Sequence, residues 1–138
     1  MAEELLSLEI ATPSGLALQT ECESLAAPSS EGEFGVFPGH RPLLATLRAG
    51  VVRYVVGGKD LRAAVGPGFV EAGPHKVLLL TDTFALPEDV DVESVRGELS
   101  AAERRLDELD VEHTRLEREE VERDIGWAHA RLALVERD

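Results

Sequence analysis

The chain of 138 residues has no asparagine, one cysteine and no apolar run approaching the ~18–20 residues that a membrane-spanning helix requires. Without Asn there is no acceptor for N-glycosylation, and tight turns must rest on Gly, Pro, Asp and Ser. With Cys22 alone, an intrachain disulfide is impossible; a single Cys in a strand-like run is expected to be a small buried hydrophobe in a reducing compartment. Basic charge is also short, since 27 acids against 14 Lys and Arg leave a net charge of −13. A surface of that sign repels phosphates and anionic lipid, which argues against nucleic-acid binding and against direct membrane insertion or adsorption. Met1-Ala2-Glu3-Glu4 lacks the basic flank and apolar core of a secretory leader, so a soluble protein on the cytoplasmic side is expected.

Catalytic patterns are missing as well. His40, His75, His113 and His129 are far apart, and none forms an HxxxH or HExxH pair, so no metal site is expected. Gly57-Gly58-Lys59 lacks the earlier glycine and the following helix of a phosphate loop and reads as a hairpin turn. There is no GxSxG elbow, and no carboxylate pair stands out at a strand end. These gaps point to a chain that is not an enzyme.

What is present changes character at Pro87. Leu5–Ile10 opens an apolar strand, and the turn Thr12-Pro13-Ser14-Gly15 stops it. Leu16, Leu18, Thr20 and Cys22 alternate with Ala17, Gln19 and Glu21, the period-2 pattern of a half-buried strand, extended through Leu25-Ala26-Ala27. Leu43–Leu47, Val51–Val56, Leu61–Val65, Phe69–Ala72 and Lys76–Thr83 follow, each bounded by Gly or Pro. Such spacing predicts a β-sandwich or flattened barrel, and the lack of crossover helices excludes a parallel α/β sheet. Residues 1–86 carry net −4, from 10 acids and 6 bases; residues 87–138 carry net −9, from 17 acids and 8 bases.

In the second part Val92, Val95, Leu99, Ala102, Leu106 and Leu109 follow helical 3-4 spacing, with Asp91 as the expected N-cap. A second seam runs through Val121, Ile125, Ala128, Leu132 and Val135. Leu109 to Val121 is 12 residues, which neither 7 nor 11 divides, so a break near Asp107–Glu112 would fold the helices back as a hairpin. No Gly or Pro marks that break, and a single long helix is open to the same sequence. The tail arginines mostly alternate with glutamates, as in Glu117-Arg118-Glu119-Glu120; this suits either a solvated face of ion pairs or recognition of carboxylates on a partner. Trp127 lies beside the second seam and reads as a packing anchor.

The strongest functional signal is the segment Glu31–Leu44, where Gly32, Gly35, Pro38, Gly39 and Pro42 frame Phe34, Val36 and Phe37 beside Glu31, Glu33, His40 and Arg41. Apolar and charged groups on a rigid turn frame make a docking edge. Ser30–Leu44 resembles the SEGEFGILPGHAPLL signature of the ε subunit of F-type ATP synthase, called δ in mitochondria. Leu47–Val52, Gly66–Ala72 and Val77–Thr83 are similar to its later LKPGVV, GGFVEV and VLADTA segments, so the likeness spans essentially the whole chain.

The resemblance implies an α+β protein: a ten-stranded antiparallel β-sandwich at 1–86, followed by a C-terminal two-helix hairpin at 87–138. It implies a rotor part of the central stalk, peripheral at the cytoplasmic face of the inner membrane, bound to the γ subunit and the c-ring. It would couple ring rotation to the catalytic α and β subunits and restrain ATP hydrolysis through its helices. Glu31, Glu33, Phe34, His40 and Arg41 are carried over as c-ring contacts, and Arg115, Arg118, Arg123 and Arg131 as contacts of the helices with the catalytic head. Many bacterial relatives bind ATP through an Ile/Leu-Asp-x-x-Arg-Ala motif in the first helix. Aligned on Ala102–Leu106, that motif falls on Val90–Val95, where Asp91 is kept but Ser94 and Val95 replace Arg and Ala. Arg96 points about 200° away on the helix. A degenerate site, Asp91 with Arg105, and no bound ATP or other cofactor are therefore expected. The reading from another class is a free-standing sandwich adaptor whose acidic helices bind an unrelated helical partner.

Overall fold

The computed structural model describes residues 4–109 and 115–136. Its alternating segments become β1 Leu6–Thr12, β2 Gly15–Cys22, β3 Ser24–Ser29, β4 Gly32–Val36, β5 Leu43–Leu47, β6 Gly50–Val56, β7 Lys59–Val65, β8 Gly68–Ala72, β9 Lys76–Thr81 and β10 Phe84–Ala85. They run in the order β10-β7-β6-β3-β5-β8-β9-β1-β2, with β4 beside β3. The single pair Ser29↔Leu47 joins β3 to β5, so the sheet folds into two layers of five strands. Pairing is antiparallel except between β1 and β9, where Leu8 lies opposite Val77. That parallel pair needs no crossover helix, because most of the sandwich itself lies between its two strands.

Period-2 alternation fills the space between the layers. Leu6, Leu8 and Ile10 of β1 meet Val52 and Tyr54 of β6, Val70 of β8, and Val77 and Leu79 of β9 in one core. Cys22 is fully buried there, as its position in an alternating strand requires, and burial raises its thiol pKa. Val56 and Lys59 are joined by Gly57-Gly58, both with positive φ (58° and 78°), which a two-residue hairpin needs and which glycine adopts without strain.

Two features depart from the sequence reading. Gly32–Val36 in the Glu31–Leu44 segment is strand rather than turn, since β4 pairs with β3 from Leu25↔Val36 to Ser29↔Gly32. The run read as one strand over Lys76–Thr83 ends at Thr81. There the Thr81 Oγ1 donates to the Gly66 carbonyl at 2.9 Å, and the chain turns into β10.

A 3-10 turn at Pro87–Asp89 leads into α1 Val92–Glu108 and α2 Arg115–Val135. Asp91 caps α1, its carboxylate accepting from the Ser94 amide at 3.2 Å. α1 ends within the expected break, and Leu109 is extended (φ −73°, ψ 128°); the remainder of that break, Asp110–Glu112, lies outside the described residues. Pairs Arg96–Glu136, Glu98–Arg131 and Arg105–Asp124 fix the two helices antiparallel, the hairpin rather than the single long helix.

The second seam is divided between two surfaces. Ala128 and Leu132 pack with Val95 of α1, whereas Val135 leaves that seam and packs with Ala130, Leu134, Ala64 and Ala85 against the sandwich. α2 is therefore apolar on two faces, sandwiched between α1 and the outer side of β6 and β7.

Candidate functional site

A row of exposed apolar side chains lies on the layer that the helices leave bare. Registers place Thr46, Phe69, Leu80, Ala11 and Leu16 side by side across β5, β8, β9, β1 and β2. The inner neighbours Val70 and Leu79 are fully buried, so this row points outward. Phe69 (54% exposed), Leu80 (48%) and Leu16 (56%) stand open, with Leu44 (71%) near one end of the layer. Pro42, Leu44, Glu71, Pro74 and Leu78 line a groove beside it. Large apolar residues in one register on the free face of a sheet mark an interaction surface.

Sequence reasoning missed this row, although β9 carried a signal. Val77-Leu78-Leu79-Leu80 does not alternate, and an unbroken apolar strand is apolar on both faces.

The candidates of the Glu31–Leu44 segment do not form one patch. Glu31 sits in the β3–β4 turn, its amide donating to Ser29 Oγ, while His40 and Arg41 lie in the loop beyond the other end of β4. Glu33 pairs with Arg53 at 2.5 Å on the outer side of its layer, both side chains half exposed. Phe34 turns inward against the core. The His40 loop is tied down by the Gly39 amide donating to the Pro74 carbonyl at 2.8 Å, and His40 Nδ1 lies 2.6 Å from the Arg41 carbonyl oxygen. Arg41 itself is exposed.

The tail arginines are equally unlike one another. Arg118 and Arg123 are exposed, and Arg115 pairs with Glu119 one turn along its own helix at 3.1 Å. Arg131 is mostly buried, forked on Glu98 of α1. The degenerate nucleotide pair is not assembled: Asp91 caps the start of α1, and Arg105, 14 residues on and so about 21 Å along the helix, pairs with Asp124 at 3.3 Å. Among the described residues no group of His, Cys, Asp or Glu is arranged to hold a metal.

A sandwich with one bare apolar face and a charged helical hairpin on the other side is a docking module with an appendage. The chain belongs to the ATP synthase delta/epsilon chain family, whose β-sandwich domain matches residues 5–87. It is 46% identical over 104 residues to an ATP synthase epsilon chain of Moorella thermoacetica, covering 75% of this chain and 78% of that one. A second epsilon chain, from Magnetococcus marinus, is 39% identical over 132 residues, covering 95% and 94%. In fold the chain is similar to one in the mitochondrial ATP synthase of Euglena gracilis, solved as OSCP/F1/c-ring, with TM-score 0.80 at 21% identity over 96% of this chain and 82% of that one.

Proposed function

We propose that this chain is a non-catalytic rotor subunit of the central stalk of an F-type ATP synthase, with its sandwich (1–86) as the docking part and its helices (87–138) as the regulatory part. The observation that carries the reading is the bare row of Leu16, Phe69 and Leu80 in a member of this family, a surface whose burial a partner must complete. In this reading the row docks on γ, and the end of the sandwich that carries the exposed loop with His40 and Arg41 faces the c-ring, while Glu33, held by Arg53 on the outer side of its layer, is not part of that contact. The complex sits at the cytoplasmic face of the inner membrane, and this chain is peripheral. In support, no described helix is long and apolar enough to cross a bilayer.

The regulatory part is tested on the assembled complex. Removing residues 87–138 is expected to leave the shortened chain in the complex, because the core of the sandwich is drawn from residues before 87. ATPase activity should then rise on the order of tenfold, a common size for a coupling between sites. Unchanged ATPase activity with normal assembly would remove the helices from any inhibitory role.

ATP itself is not a ligand in this reading, for Asp91 and Arg105 are engaged elsewhere and Ser94 stands where the nucleotide motif has Arg. Calorimetric titration of the isolated chain is expected to show no saturable ATP binding at or below about 1 mM, roughly −4 kcal/mol. A clear isotherm in that range would overturn the alignment of the motif.

A further inference from the structure

Among the described residues, Arg131 is the one tail arginine seen to touch three things at once. Nη1 and Nη2 donate to the two carboxylate oxygens of Glu98 at 3.2 and 3.0 Å, and Nε donates to the Trp127 carbonyl at 3.3 Å. The centre of the guanidinium stands 5.0 Å from the centroid of the Trp127 ring, and the side chain is only 14% exposed. Trp127 in turn packs on the cluster in which Ala130 and Leu134 of α2 meet Ala64 and Ala85 of the sandwich. Glu98 belongs to α1, which packs chiefly on α2. Arg131 thus connects the two interfaces of α2, one with α1 and one with the sandwich.

We propose that Arg131 is a coupling latch, which makes closure of the hairpin and docking of α2 on the sandwich a single event. The guanidinium is planar and delocalised, so its fork on Glu98 and its stack on Trp127 constrain one rigid group. When α1 leaves, the fork is lost, the guanidinium returns to water, and the ring loses the group that covers it. When α2 undocks, Trp127 is released, and the fork loses the platform that orients it. Among the described residues, the other interhelical ion pairs lack this property. Arg105–Asp124 and Arg96–Glu136 are single contacts at 3.3 and 3.9 Å between half-exposed side chains, and such pairs are weak and easily screened. An acidic partner that takes Arg131 from Glu98 would therefore open the hairpin and undock α2 together. The latch is internal to the chain and does not depend on the proposed function.

Trp127 is the only tryptophan, so emission and acrylamide quenching of the full-length chain report on this junction alone. Glu98→Gln changes a half-exposed residue of α1 whose bonded partner is on α2, yet it is expected to increase quenching of Trp127. It should also speed amide exchange across the second half of α2 about tenfold, the scale of coupling seen within one polar network. Arg131→Lys keeps the charge but loses the fork and the stack, so it should act alike. The double variant should be no worse than either single one. Arg105→Gln removes only a weak, half-exposed pair, so it should leave both Trp127 emission and exchange in the second half of α2 near wild type. The latch is refuted if Glu98→Gln leaves Trp127 and α2 exchange at wild-type values. It is refuted too if the effects of Glu98→Gln and Arg131→Lys simply add, or if Arg105→Gln moves Trp127 as much as Glu98→Gln does.

Discussion

Replacing Leu16 and Phe69 together with glutamate is expected to strip the protein from its complex while the isolated chain stays folded. Both side chains stand more than half exposed on the bare layer, and their neighbours Val70 and Ile10 keep the core intact. β8 and β2 are separated by β9 and β1, so the two new charges lie about 14 Å apart, beyond the Debye length at physiological salt. The free chain should therefore lose no more than about 0.5 kcal/mol per site, as exposed substitutions generally do.

In the complex the same changes remove apolar burial worth about 1.5–3 kcal/mol per side chain. They also leave two carboxylates desolvated without partners, which raises the cost further. A combined loss near 5 kcal/mol corresponds to a fall in affinity of about a thousandfold or more. Sedimentation of the reconstituted complex measures it, alongside thermal melting of the free chain. A double variant that assembles at wild-type affinity would show that the row Leu16–Leu80–Phe69 is not the docking surface.

Gly68→Ala is expected to be among the most damaging single changes in the sandwich. Gly68 lies between β5 and β9, opposite Leu47 on one side and Thr81 on the other. A Cβ there would fall well inside contact distance of the Leu80 carbonyl oxygen and within 3.0 Å of Thr81 Cα. The obstacle is backbone on both counts, so no rotamer change relieves it, and β8 would have to separate from β9. Overpacking of this kind costs about 3 kcal/mol or more, roughly 10 °C in midpoint for a chain of this size.

The contrast is Gly97→Ala in α1, where a Cβ would meet nothing within 4 Å. There alanine should stabilise the helix by about 0.5–1 kcal/mol. Denaturant unfolding of both variants provides the comparison, and a Gly68→Ala midpoint equal to that of the wild type would mean that β8 and β9 are not so closely apposed.

Short-range physics made much of this molecule legible in its sequence. The change at Pro87, the alternation of Leu6, Leu8 and Ile10, the Gly57-Gly58 hairpin and the Asp91 cap all depend on neighbours within a few residues. β4 escaped notice because Gly32 and Gly35 interrupt its pattern, and its evidence is the pairing with β3. β10 is two residues long and is defined only by lying against Val65 and Ala64.

The choice between a hairpin and one long helix required tertiary contacts. Ala130 and Leu134 give α2 a second apolar face only because Ala64 and Ala85 lie opposite them, and a helix running straight on from α1 would leave that face in water. In the sequence Arg118 and Arg131 are the same kind of residue in the same kind of helix. One ends in solvent and the other is held by Glu98, 33 residues away, and Trp127. The outward row of Leu16, Phe69 and Leu80 has the same origin. Its residues come from three strands, and which face of those strands stays bare is set by the layer packed beneath and by where α2 docks, neither of which is a local property of the chain.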